Sequence, residues 1–222
     1  MARNVQMLTD FTMHIDEAAF LTEMKVKPGS RREQMCLHLI EKINALLKPK
    51  AGFCEAVVEE LDESGMTVDG VRFTGTLFAD RLKVGQKLYP FLCSCGKEAG
   101  DLEYTVWGDV LQQYWADVLM EKSLRCIGQA LEERVSAYIQ GEFIARFNPG
   151  SLPAWPLMEQ RPLFQLLGEI VPAVGVELTD HFIMLPQKSV SGFYFSSEQE
   201  YHNCSLCPRL HCPTRQTEFI GG

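Results

Sequence analysis

Eight cysteines in a 222-residue chain fall into two kinds. Cys36, Cys54 and Cys126 sit singly inside apolar, periodic segments and read as small core residues. Cys93, Cys95, Cys204, Cys207 and Cys212 are grouped, and Cys204-Ser-Leu-Cys207-Pro-Arg-Leu-His-Cys212-Pro carries the sharpest chemical signal. A C-x2-C pair puts two thiolates on one tight turn, where both reach a single metal, and a third cysteine five residues on completes a three-sulfur face. Prolines directly after Cys207 and Cys212 stiffen the loop and lower the entropy lost on closing round an ion. Cys95, followed by Gly96 after a strand-like run, is the expected fourth ligand; Cys93, His202 and His211 are the other candidates. Thiolates suit both an iron–sulfur cluster and zinc. Three close cysteines plus a remote one favour the cluster, with zinc as the alternative and an unmetallated segment as the bland reading.

A second group is Arg146-Phe-Asn-Pro149-Gly150-Ser151. A guanidinium offers a planar fork for a carboxylate, and a glycine four residues later lets backbone come close to a ligand. On spacing alone this is also an ordinary surface turn.

The elements that must position these groups are legible in part. Ser30 with Glu33 three residues on is a helix-start pattern, followed by Cys36, Leu39, Ile40, Ile43 and Leu47 at helical spacing and closed by Pro49. Cys54 to Leu61 and Met66 to Phe73 flank Asp62–Glu63–Ser64–Gly65 and read as a hairpin. Lys87 to Cys93 reads as a strand whose Pro90 puts it at an edge or a strand start. The segment from about Asp109 to Ile139 reads as a long helix, with Gly128 as a candidate break. Thr74 to Lys83 reads as a short helix, 10–29 as a short extended segment followed by a charged connection ending at Pro28–Gly29, Pro162 to Val174 as a helix, and Phe182–Leu185 and Val190–Phe195 as strands. Trp107, Trp115 and Trp155 read as packing residues.

The net charge of −8 argues against non-specific nucleic-acid binding. Apolar residues at 46% and charged residues at 23% are globular values. No stretch is long and apolar enough to span a membrane, and the N-terminal residues lack a secretory pattern, so a cytoplasmic protein with reduced thiols is expected. The simplest organisation is one α+β domain over 1–200 with a cysteine-rich, metal-binding tail over 201–222.

The run Arg146, Leu152-Pro153-Ala154, Leu163-Phe164-Gln165-Leu166-Leu167, Gly175-Val176-Glu177-Leu178-Thr179-Asp180, Met184-Leu185-Pro186 and Ser189-Val190-Ser191-Gly192-Phe193-Tyr194-Phe195 resembles the activation domain of cobalamin-dependent methionine synthase. It covers about 50 contiguous residues with order and spacing kept, and is closest to small stand-alone versions from anaerobes. The resemblance implies a twisted antiparallel sheet flanked by helices. It also implies S-adenosylmethionine binding at an R-x-x-x-G-Y loop, with Arg146, Pro149, Gly150 and Ser151 at the cofactor and Arg146 on its methionyl carboxylate. Ser151 stands where the family has tyrosine, so a packing contact is lost.

The function so implied is an accessory module for reductive activation and remethylation of a corrinoid methyltransferase. Its partner is a corrinoid protein or the methionine synthase modules. The chain has no D-x-H-x-x-G signature to seat cobalamin, so a corrinoid is met only through that partner. An iron–sulfur cluster in the tail would serve as a built-in electron donor. The alternative is a zinc-stabilised binding or scaffold protein that has lost S-adenosylmethionine. A free-standing S-adenosylmethionine-dependent enzyme ranks last, for want of an acid–base pair.

Overall fold

The structure, a computed structural model, describes residues 4–11, 15–100, 109–139, 143–212 and 215–220; Trp107 and Pro213 lie outside them. The chain runs β1 (Val5–Leu8), α1 (Glu17–Glu23), α2 (Arg31–Leu46), β2 (Lys50–Cys54), β3 (Ala56–Asp62), β4 (Gly65–Val68) and β5 (Val71–Thr74). It continues through β6 (Lys87–Ser94), the single turn α3 (Lys97–Gly100), α4 (Val110–Ser136), β7 (Phe143–Phe147) and a 3-10 turn over Leu157–Glu159. Then come α5 (Gln160–Leu167), α6 (Ile170–Val174), β8 (Glu177–Leu178), β9 (Met184–Leu185), β10 (Ser189–Ser197) and α7 (Asn203–Leu206).

Local chemistry sets the helix starts. Ser30 Oγ accepts from the Glu33 N–H (3.2 Å), and Glu33 Oε2 reaches back to the Gly29 N–H (2.6 Å). Asp16 caps α1 by accepting from the Ala19 N–H, so the 10–29 segment holds a helix where a short extended segment and a charged connection were expected. Asp109 caps α4 through the Gln112 N–H. At 27 residues α4 is about 40 Å long. It runs unbroken through Gly128, whose carbonyl accepts from the buried Tyr194 hydroxyl (3.4 Å).

Eight strands form one antiparallel sheet among the described residues, in the order β1-β2-β6-β3-β4-β5, with β10 lying between β6 and β7. One edge of β6 serves two strands in turn: β2 along Phe91–Ser94 and β3 along Lys87–Leu88. The other edge carries β10 from Leu88 to Ser94. Pro90 is therefore central, not marginal. It falls where β2 hands over to β3, between the Phe53↔Phe91 and Ala56↔Leu88 pairs, a stretch with no ladder partner on that edge. The expected single return strand after the hairpin is two, β4 and β5, because Asp69 (φ 44°) and Gly70 (φ 78°) turn the chain between them. Thr74 to Lys83 forms turns rather than a helix. The helix expected over Pro162–Val174 is interrupted at Gly168.

The sheet separates two cores. On one face Leu39, Ile40 and Ile43 of α2 and Trp115, Leu119, Ile127 and Leu131 of α4 pack over Phe53, Tyr89, Phe91, Cys93 and Tyr194. On the other, Leu163, Leu166 and Ile170 of α5 and α6 pack with Trp155, Phe147, Phe193 and Phe195. Alternation along β6 and β10 sends successive side chains to opposite cores, as a two-sided sheet requires. Buried Glu159 ties α5 to the β-meander, accepting from the Thr74 N–H (2.8 Å) and Thr74 Oγ1 (2.5 Å). No helix among the described residues is long and apolar enough to cross a membrane.

Candidate functional site: the Arg146–Gly150 loop and the cysteine tail

Strand alternation aims Arg146. Its neighbours Ala145 and Phe147 are buried in the α5–α6 core, so Arg146 projects to the opposite face. There its guanidinium lies 6.0 Å from the centroid of Tyr194, its cross-strand partner, and Nη1 is 3.9 Å from Glu132 Oε2 on α4. About a third of the Arg146 side chain is exposed. Burial pushes the Tyr194 hydroxyl above the ordinary tyrosine range while Arg146 pulls the other way, so the ring stays a neutral platform under the guanidinium.

Beyond β7 the chain turns sharply. Asn148 Nδ2 donates to the Ser191 carbonyl of β10 (2.8 Å), and the Ser151 N–H donates to the Asn148 carbonyl (3.1 Å). Pro149 is buried, while Gly150 and Ser151 are exposed. Gly150 has φ +79° and donates its N–H to the Trp155 carbonyl (2.8 Å). The space over its α-carbon is taken by Leu157: an added Cβ would meet Leu157 Cδ1 at 2.8 Å. Beneath the loop Trp155 is fully buried, stacked on Phe193 (centroids 5.6 Å) and edge-on to Phe78. Trp155 Nε1 and Ser191 Oγ, both buried and both on residues that hold the loop, have no hydrogen-bond partner among the described residues. Two surface depressions, of about 410 Å³ beside β1 and α4 and about 300 Å³ around Tyr89, Tyr138 and Ser196, are not lined by residues 146–151.

The tail cysteines share one knot. Arg215 donates to the carbonyls of Cys204 (2.5 Å), Cys207 (2.8 Å), Arg209 (2.8 Å) and Thr217 (3.1 Å), gathering the segment round one guanidinium. Cys204, Cys207 and Cys212 are half-buried. Tyr201, Leu206 and Cys207 lie against the α5–α6 core.

Cys95 is not with them. It is fully buried in the core on the α2–α4 face, its Sγ 3.7 Å from the Met120 carbonyl, and burial pushes its thiol up to about 12. The sheet lies between Cys95 and the tail, because Cys95 and Cys93 both point toward α4 and the tail packs on the opposite face. Among the described residues no three Cys, His, Asp or Glu side chains are arranged to hold a metal. His202 pairs instead with Glu200 (3.1 Å), and His211 is exposed. Cys126, expected in the core, is exposed on α4.

Sequence reading missed Glu132 and Tyr194 beside Arg146, and Asn148, Asn203 and Arg215 behind the loop and tail. Asn148 occupies a position the motif leaves open, and the others come together only through the sheet and the tail fold.

Residues 110–209, just under half of the chain, match the family model described as the activation domain of vitamin B12 dependent methionine synthase. No curated protein matches the chain. Among solved structures, the crystal structure of the MetH reactivation domain bound to AdoHcy superposes with a TM-score of 0.57 at 18% identity, covering 90% of this chain and 80% of that one. In sequence over residues 110–209 and in fold over most of its length, the chain resembles the activation domain of vitamin B12 dependent methionine synthase.

Proposed function

We propose that this chain is an accessory module for the reductive activation and remethylation of a corrinoid methyltransferase, with S-adenosylmethionine bound at the Arg146–Gly150 loop. The family match over 110–209, which contains that loop, carries the reading. The solved relative bound to AdoHcy, the demethylated form of the same ligand, supports the ligand class. S-Adenosylmethionine supplies the methyl group when bound. This chain's residues bind and orient: Arg146, resting on Tyr194 and already beside one carboxylate in Glu132, takes the ligand's carboxylate. Leu157 must move off Gly150 for a ligand to touch that backbone. In this reading residues 1–200 are the activation-like body, 201–222 an appendage to it, and the corrinoid is presented by partner modules.

As placed, the tail cysteines do not fit a preformed iron–sulfur or zinc centre, and no electron-transfer step is assigned to them. Anaerobic metal analysis reads this directly. A cluster's visible absorption, or one zinc per chain, would require the three thiols to turn toward each other.

The second reading, a binding or scaffold protein that has lost the ligand, draws on Leu157 over Gly150 and on Ser151 in place of tyrosine. Calorimetry with S-adenosylmethionine separates the two. Wild type is expected to bind, and Arg146→Ala to bind roughly 10- to 100-fold more weakly, the worth of a hydrogen bond to a charged group. Equal heats in both proteins would remove Arg146 from the site, and no heat in either favours the scaffold.

A further inference from the structure

The loop and the cysteine tail are joined by a line of hydrogen bonds. Tyr201 Oη donates to Asn203 Oδ1 (2.9 Å), Asn203 Nδ2 donates to Asn148 Oδ1 (3.2 Å), and Asn148 Nδ2 donates to the Ser191 carbonyl (2.8 Å). The three bonds share one polarity, running from the tail to β10. Asn148 is the middle residue of Arg146–Gly150, so the side chain that anchors the loop to the sheet is itself held by the tail. Packing reinforces the joint: the Tyr201 ring meets Phe147 edge-on (centroids 5.3 Å), and Arg81 lies 5.5 Å from the Tyr201 centroid. Behind it, the Arg215 hydrogen bonds and an Ile220 N–H to Ser205 carbonyl bond (2.8 Å) cross-link the described residues of the tail.

We infer that Asn203, supplied by the cysteine-bearing tail, is a positioning residue for the Arg146–Gly150 loop, so that bulk added to the Cys204 or Cys207 thiol and occupancy of the loop oppose one another. The inference rests on the ligand assignment proposed above. Cys204 shares the single turn of α7 with Asn203, and Cys207 packs against the core. A group attached to either sulfur lifts α7 and breaks the Asn203–Asn148 bond, leaving the Asn148 side chain with its bond to the Ser191 carbonyl. Coupling between two sites is reciprocal, so a ligand that needs the loop in place must in turn hold the tail down.

The test uses the full chain as wild type, Asn203→Ala, Asn203→Asp and Asn148→Ala. Aspartate keeps the shape of asparagine and still accepts from Tyr201, but it sets a second acceptor against Asn148 Oδ1. Iodoacetamide labelling of Cys204 and Cys207, followed by peptide mass spectrometry, is measured without ligand and with S-adenosylmethionine, and calorimetry gives the affinity. Without ligand, all three variants are expected to label several-fold faster than wild type, with Cys36 still protected as the sign of an intact fold. Affinity is expected to fall roughly three- to tenfold in both Asn203 variants, the worth of one hydrogen bond, with aspartate no better than alanine. Ligand slows labelling in wild type and not in Asn203→Ala. Unchanged labelling in Asn148→Ala, or wild-type affinity in Asn203→Asp, overturns the inference. A wild type that gives no heat overturns the ligand assignment and the ligand half of this inference, and the labelling rates alone then decide the joint.

Discussion

Gly192→Ala is a sharp test of how the loop is seated. Gly192 lies in β10 just past the end of its pairing with β7, where an added Cβ would fall inside the van der Waals shell of the Phe147 carbonyl oxygen. The same atom would sit 2.7 Å from Asn148 Nδ2 and 3.0 Å from a Phe91 ring carbon. A side chain could rotate away, but a backbone carbonyl moves only if the end of β7 and the start of the loop move with it. Overpacking a well-packed interior costs about 1–3 kcal/mol, and a backbone collision belongs at about 3 kcal/mol. For a domain of this size each kcal/mol is worth about 2–4 °C, so Tm is expected to fall by roughly 6–12 °C. Gly128→Ala is the control. Its Cβ would meet nothing within 4 Å, and alanine in a helix interior is favoured over glycine by about 0.5–1 kcal/mol, so Tm rises slightly. Thermal unfolding followed by far-UV circular dichroism reads both, with urea midpoints at constant slope as a second measure. If Gly192→Ala melts within about 2 °C of wild type, about the worth of 1 kcal/mol at this size, the close approach of β10 and β7 is not what the geometry says.

Two further outcomes follow from the electrostatics. Burial pushes Cys36 up to about 11 and Cys93 and Cys95 up to about 12, so at pH 8 a thiol reagent should label exposed Cys126 and leave those three until denaturant is added; native labelling of Cys95 at the Cys126 rate would contradict its burial. The Asp62 carboxyl is pulled down to about 2, first by the Ser64 hydroxyl, then by the Ser64 N–H and Arg72. A carboxylate depressed in the folded state stabilises it above the unfolded value near about 4 and loses that contribution as pH falls toward about 2. Its titration by NMR should therefore have a midpoint near 2 that rises in Ser64→Ala, and an ordinary midpoint in wild type would refute the turn geometry.

What could be read before the fold was known depended on whether the deciding partner was near in sequence. The α2 start was legible because Ser30 caps the Glu33 N–H three residues on and Glu33 reaches back to the Gly29 N–H. Helix α4 was legible from its periodicity, but not its continuity through Gly128, whose carbonyl meets Tyr194 from more than sixty residues away. Helix α1 has one buried anchor, Phe20, and so no period to read. Pro90 suggested an edge because proline lacks a donor, and only the succession of β2 and β3 along one side of β6 explains its central place. The loop was legible as Arg146 and Gly150, whereas Glu132, Leu157 and Asn203, which decide what that loop can do, arrive from other elements. Cys95 looked available because spacing says nothing about which face of a sheet a side chain takes once the register is unknown.

The position of β6 also bears on how the chain reaches its native state. Residues 50–94 can assemble β2 through β6 among themselves, yet the other side of β6 is completed only by residues 189–197. During synthesis from the N-terminus, that flank of unpaired amide and carbonyl groups stays open for about a hundred residues, bordered by Leu88, Phe91 and Leu92. Open strand flanks of this kind recruit other chains, and distant pairing is slow. Fragments ending before residue 189 should accordingly be the form of this protein most prone to self-association.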